Sequence, residues 1–252
     1  LIKGMRSMYY VYDGSFDGFL CCVYAYYYEE KAVGIRNGSA DGQVPIFEEK
    51  YIVTNYTISH RVYAGLRRRL GNAAAEKIFQ AFLSDQEDKE MILLRYIALC
   101  LRSGRQVDAC RTYPEILPVH RMSEKVAREA HRFLEWLRFG EIQGVLYAAY
   151  EPEADITCLL MPHFADRLRE ERFIIHDLRR KKAGVYAAEH WEERPLEQDL
   201  RVYKSGGEKT MEVAWQTYFD HIAIQERENR LLQQHYVPLR IWKNLTEKRE
   251  AL

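Results

Sequence analysis

Nothing in this 252-residue sequence stays apolar for the roughly 18 to 20 residues that a membrane-spanning helix needs, so no membrane partner is expected. The first residues also lack the charged, apolar and small-residue triplet of a secretory signal, and the expected location is the cytoplasm. Net charge is missing as well. The 37 basic and 37 acidic residues cancel, so any pull on a polyanion must be local. Cysteine is sparse and unpatterned: Cys21, Cys22, Cys100, Cys110 and Cys158 form no C-x-x-C pair, and no His/Cys cluster has zinc spacing. Reduced, mostly buried thiols follow, with neither metal nor cofactor expected. A Gly-rich phosphate loop, a nucleophile elbow, H-E-x-x-H and the C-x-x-x-C-x-x-C spacing are all absent, which excludes several large enzyme classes. Internal repeats and low-complexity segments are absent too, which excludes a solenoid.

Tyrosine, by contrast, is plentiful. Its 18 copies outnumber the 10 phenylalanines and 4 tryptophans. A ring with a polar tip suits half-buried packing surfaces, and it suits base-stacking platforms as well.

The chain opens with a β-rich run, Met8–Tyr12. Asp13-Gly14-Ser15 then makes a turn and helix cap before the helical spacing of Phe16, Phe19, Leu20, Val23, Tyr24 and Tyr27. Residues 34–42 look like a loop, and Tyr51–Thr54 like a second strand. Residues 59–70, 73–83 and 89–101 look helical, and so does His120–Phe139 behind Pro118. Strands are then expected at 144–150, 172–176 and 183–187, with a helix at 156–169 and a hairpin joining the last two strands. Residues 208–234 look like a further long helix that buries Met211, Trp215, Tyr218, Phe219 and Ile222. The fold class is therefore α+β, mostly helical, with a small and at least partly antiparallel sheet. Residues 8–252 are expected to form one compact unit, or a helical 8–113 followed by 114–252. Leu1–Ser7, ahead of Met8, look like a tag or extension.

The 120–139 stretch has two opposed faces. At about 100° per residue, Arg121, Lys125, Arg128 and Arg132 fall within roughly 60° of one another, while Val126, Ala130, Phe133, Leu134 and Leu137 gather opposite. A surface helix needs some solvated face. Four cations in register also make a rail for phosphates, with Glu124 and Glu135 at its edge as internal partners. Arg67–Arg69 and the run Arg179, Arg180, Lys181 and Lys182 are two further basic clusters. Near the C-terminus, Arg227, Arg230, Arg240 and Lys243 lie among amides and aromatics, in keeping with a phosphate grip or a plain helix end.

His163 with Asp166, and His176 with Asp177, supply the ingredients of acid–base chemistry. Adjacent residues on a strand point to opposite faces, so His176 and Asp177 cannot form a dyad by themselves.

Several blocks together resemble a known bacterial family. They are Tyr12–Val23, Pro118–Phe139, Met161–Arg167, Phe173–Asp177, and Glu226-Arg227 with Asn229-Arg230-Leu231. The family is uncharacterised and assigned to DNA metabolism or DNA repair; its members are encoded beside a radical-SAM protein and are sometimes fused to a uracil-DNA-glycosylase domain. The resemblance runs from Met8 to about Glu247 and implies a nucleic-acid-binding accessory with a radical-SAM partner, and no catalytic residues come with it. Two other readings stand beside it. One is an enzyme acting on nucleic acid or nucleotide, with His163, Asp166, His176 and Asp177 in a pocket. The other is a protein-interaction scaffold using the aromatic surface Tyr26–Tyr28 without touching DNA.

Overall fold

The computed structural model describes residues 8–38, 48–203, 214, 230–242 and 244–245. It divides into two compact units, Leu1–Ala127 and Arg128–Leu252. The fold is α+β, with one sheet in each unit among the described residues.

In the first unit, β1 (Met8–Tyr12) leads into α1 (Phe16–Tyr28), which the Ser15 side chain caps by accepting from Gly18 N. Two more strands, β2 (Gly34–Asn37) and β3 (Glu48–Tyr51), flank β1, and both run parallel to it. The expected loop at 34–42 is therefore a strand at its start, and the second expected strand lies three residues earlier than read. Gly34 shows why β2 was hidden. It stands opposite Tyr9, and a Cβ there would lie 2.2 Å from the Tyr9 ring, so the position must be glycine even though glycine is usually a loop signal. Helices α2 (Tyr56–Leu70), α3 (Asn72–Phe82) and α4 (Lys89–Ser103) follow, then a short 3-10 helix, Arg105–Ala109. Phe19, Leu20, Ile78, Leu93, Leu94 and Ile97 form a large part of this unit's core.

Helix α5 (Ile116–Trp136) begins four residues earlier than expected and ends three earlier. Pro118 falls in its first turn, where the missing N–H has no helical partner to lose.

The second unit carries a five-stranded sheet. A β4–β5 hairpin (Gly140–Ile142, Val145–Tyr150) is antiparallel, β5 pairs parallel with β6 (Phe173–Asp177), and β6, β7 (Lys182–Ala187) and β8 (His190–Pro195) are antiparallel. The parallel step needs a crossover, and α6 (Thr157–Arg167) supplies it. At Gly184 a Cβ would meet Met161 Sδ at 2.3 Å, so the glycine lets α6 lie directly on β7. Strands β4 and β8 were not expected. β8 alternates weakly, because every one of its side chains is exposed or half-buried. Short helices at Arg230–Tyr236 and Leu239–Trp242 follow. The expected long helix over 208–234 lies for the most part outside the described residues, and so does the expected 1–7 tag or extension.

Candidate nucleic-acid interface

Along α5 the side chains of Arg121, Lys125, Arg128 and Arg132 are all exposed, and Val119, Met122, Val126, Ala130 and Phe133 are buried. Burial of those apolar groups fixes how the helix is rotated and so aims the cations outward. Leu134 is half-buried, and Leu137 is buried just past the helix end.

Two acids of α5 have partners beside the rail, while Glu135, exposed at its edge, stays next to Arg132 as an internal counter-charge. Glu124 pairs with Arg111 at 2.8 Å. Glu129 accepts backbone hydrogen bonds from Glu153 N (2.8 Å) and Ala154 N (2.9 Å) and lies 3.6 Å from Arg240. Lys125 reaches Asp85 Oδ1 at 3.2 Å across an exposed contact, which water and salt weaken. The Arg132 guanidinium lies 5.9 Å from the centre of the Trp136 ring, which steadies it without neutralising it.

The second basic cluster divides in two. Asp177 is buried and accepts from Arg179 N (3.0 Å), Arg180 N (3.1 Å) and Arg180 Nη1 (2.9 Å), folding the β6–β7 turn over its own carboxylate. Lys182 bridges Asp155 and Glu193, each at 2.7 Å. Burial works against its charge, but the two carboxylates outweigh it and hold its pKa above the ordinary lysine value. Arg180 and Lys182 thus hold the unit together, whereas Arg179 and Lys181 face solvent. Arg179 and Arg180 also donate to the Glu153 carbonyl, and Arg240 pairs with Glu153. The loop after β5 therefore gathers Glu129 of α5, the 179–182 turn and Arg240 on a few neighbouring residues. Arg227, Lys243 and the side chain of Arg230 lie outside the described residues.

The His/Asp residues do not converge. His163 and Asp166 are exposed on α6, where Asp166 pairs with Arg169 at 2.9 Å. His176 is fully buried between Tyr147 and the Leu196 carbonyl, while Asp177 turns to the hairpin backbone. Strand alternation separates the second pair, and solvent exposure separates the first from both.

A polar cluster that the sequence reading missed lies in the first unit. Asp108 accepts from Lys77 Nζ (2.8 Å) and Tyr96 Oη (2.7 Å), and His120 Nε2 lies 2.9 Å from the same oxygen and 2.8 Å from Lys77 Nζ. Burial opposes the Asp108 charge, yet these donors hold its carboxyl below the usual range. The Tyr96 phenol is pushed up, by burial first and by Asp108 after it. The four residues come from four separate segments of regular spacing, so no local motif announces them.

Residues 87–247 match the family described as a domain of unknown function, DUF4130, and the chain belongs to that family. No curated protein matches the sequence. A solved structure described as the pGpG-specific phosphodiesterase PggH from Vibrio cholerae aligns over 71% of this chain and 81% of its own, at 10% identity and a TM-score of 0.33. At that score the likeness carries neither fold nor activity across.

Proposed function

We propose that this DUF4130 member is an accessory protein of DNA metabolism or repair, which binds nucleic acid on the exposed face of α5 and works beside a radical-SAM protein. The observation that carries the reading is the helix itself: four exposed cations in register, on the face opposite its buried residues Val119, Met122, Val126, Ala130 and Phe133. Arg179, Lys181 and Arg240, with Arg227, Arg230 and Lys243 of the sequence, are further candidate phosphate contacts. Chemistry on the bound strand belongs to the radical-SAM partner, or to a uracil-DNA-glycosylase domain where one is present.

The test is fluorescence anisotropy of labelled DNA, titrated with salt, on the chain carrying R121E, K125E, R128E and R132E together. DNA binding should disappear while the circular-dichroism melt stays nearly unchanged. Undiminished retention of DNA refutes the reading, and co-purification of a radical-SAM protein without DNA favours a scaffold instead.

A second reading, an enzyme acting on nucleic acid or nucleotide, rests on the cluster of Lys77, Tyr96, Asp108 and His120, since His163, Asp166, His176 and Asp177 do not converge. Turnover of an oligonucleotide by the wild-type chain, abolished in Asp108→Asn, would establish it. A chain that turns over nothing excludes it.

A further inference from the structure

Helices α1, α2 and α4 of the first unit line a groove of about 620 Å³, which is within the roughly 300–1,000 Å³ of small-ligand sites. Each helix contributes one face. Tyr24, Tyr27 and Tyr28 lie at i, i+3 and i+4 on α1. Arg61, Gly65, Arg68 and Arg69 repeat at three to four residues on α2, and Arg102 comes from the last turn of α4. Among the described lining residues none is acidic, although acids and bases are equally abundant in the chain.

The rings and the charges are arranged to be used together. Tyr28 is 74% exposed and Tyr27 43%, both unusually open for aromatic side chains on a packed helix. The Tyr24 and Tyr28 ring centres are 4.6 Å apart, and the Arg61 guanidinium lies 5.2 Å from the Tyr24 ring. A cation in the last turn of a helix offsets the negative end of its dipole, which accounts in part for Arg68, Arg69 and Arg102. It does not account for Arg61, in the first half of α2, or for the open tyrosines. Gly65 is the second anomaly. It sits inside a regular helix, where glycine is unfavourable, and a Cβ there would meet nothing within 4 Å, so no packing demand keeps it small.

We infer that this groove is a nucleotide site. The base stacks on Tyr27 and Tyr28, the phosphate is held by Arg61, Arg68, Arg69 and Arg102, and Gly65 keeps the wall low enough for the sugar and phosphate to pass. A free nucleotide and one unit of a single strand present this same chemistry. The site stands independently of the α5 reading.

Calorimetric titration of the full chain with dTMP, with a short oligothymidylate and with inorganic phosphate tests it. dTMP binding shows a free-nucleotide site, binding of the oligothymidylate alone shows a strand-unit site, and either supports the inference. The double variant Tyr27→Ala, Tyr28→Ala should weaken that binding roughly tenfold or more, and so should Arg68→Ala with Arg69→Ala. Gly65→Gln should block the groove while the chain melts no lower than wild type. Charge reversal of α5 should leave dTMP binding intact. The inference falls if neither thymidine ligand binds, if phosphate alone binds as well as dTMP, or if the tyrosine variants bind like wild type. It also falls if the oligothymidylate is lost only on α5 reversal, an outcome that leaves the α5 reading standing.

Discussion

Tyr147 Oη lies 2.6 Å from His176 Nδ1, and on the other side of the ring Nε2 lies 2.7 Å from the Leu196 carbonyl oxygen. A carbonyl only accepts, so Nε2 carries the proton and Nδ1 accepts from the phenol. Both ring nitrogens are thereby satisfied in the neutral imidazole, inside a fully buried site. Burial pushes the His176 pKa below its ordinary 6.5, and the Leu196 carbonyl and the Asp199 and Asp177 charges only partly oppose the shift.

A folded-state pKa lowered in this way adds stability that is complete above pH 6.5 and drains away as the pH falls from there toward the folded value. Urea midpoints of the wild type should therefore drop as the pH falls below about 6.5. His176→Gln keeps a donor for Leu196 and does not titrate. It should cost about 1 kcal/mol at neutral pH and give a flatter profile. Equal slopes for the two proteins would exclude His176 as the source of the decline.

Asp108→Asn removes the charge that Lys77, Tyr96 and His120 share. The site is only partly buried, so the expected loss is about 1–3 kcal/mol, read from urea unfolding at pH 7. The wild-type carboxyl is held below the ordinary 3.8, so its contribution is complete above that value and disappears as the pH falls through the folded one. A variant as stable as wild type would show that the cluster does not brace the start of α5.

Gly65→Ala should raise stability by up to about 1 kcal/mol, because a helix gains from alanine and nothing stands where the new methyl goes. A lower melting temperature would mean that the wall of α2 is not open at this point.

Exposed cations and tied ones should respond differently to salt. In DNA titrations, Arg121→Ala should lower the slope of log K against log salt by about 1. Lys182→Ala should leave that slope unchanged and instead cost about 1–2 kcal/mol of stability, since Asp155 and Glu193 lose their shared partner. A matching slope change in Lys182→Ala would show that this lysine reaches the nucleic acid.

How far the sequence could be read depended on whether a feature is local. Helix α5 was legible because one periodicity carries both its buried and its charged face, and β1 and α1 because Asp13-Gly14-Ser15 punctuates them. β2 was not, since Gly34 answers to the Tyr9 ring across the sheet rather than to its own neighbours. The division of the 179–182 cluster into tied and exposed members depends on Asp155, Asp177 and Glu193, which one-dimensional spacing does not bring close. In the sequence Tyr24 and Tyr27 read as part of the apolar spacing of α1, Tyr26–Tyr28 as aromatic surface, and Arg67–Arg69 only as a cluster. What joins them is the packing of α1 on α2.

The parallel pairing of β1 with both β2 and β3 has a consequence for the chain as it is being made. β1 is the central strand of its sheet, yet both partners follow it, and its pairing with β3 joins residues forty positions apart, Met8 with Glu48. Emerging from the ribosome, Met8, Tyr10 and Val11 have side chains to bury and no strand to pair with until β2 is synthesised, and no second partner until β3 follows. In that interval α1, whose hydrogen bonds and Ser15 cap are local, is the one structure available to shelter them.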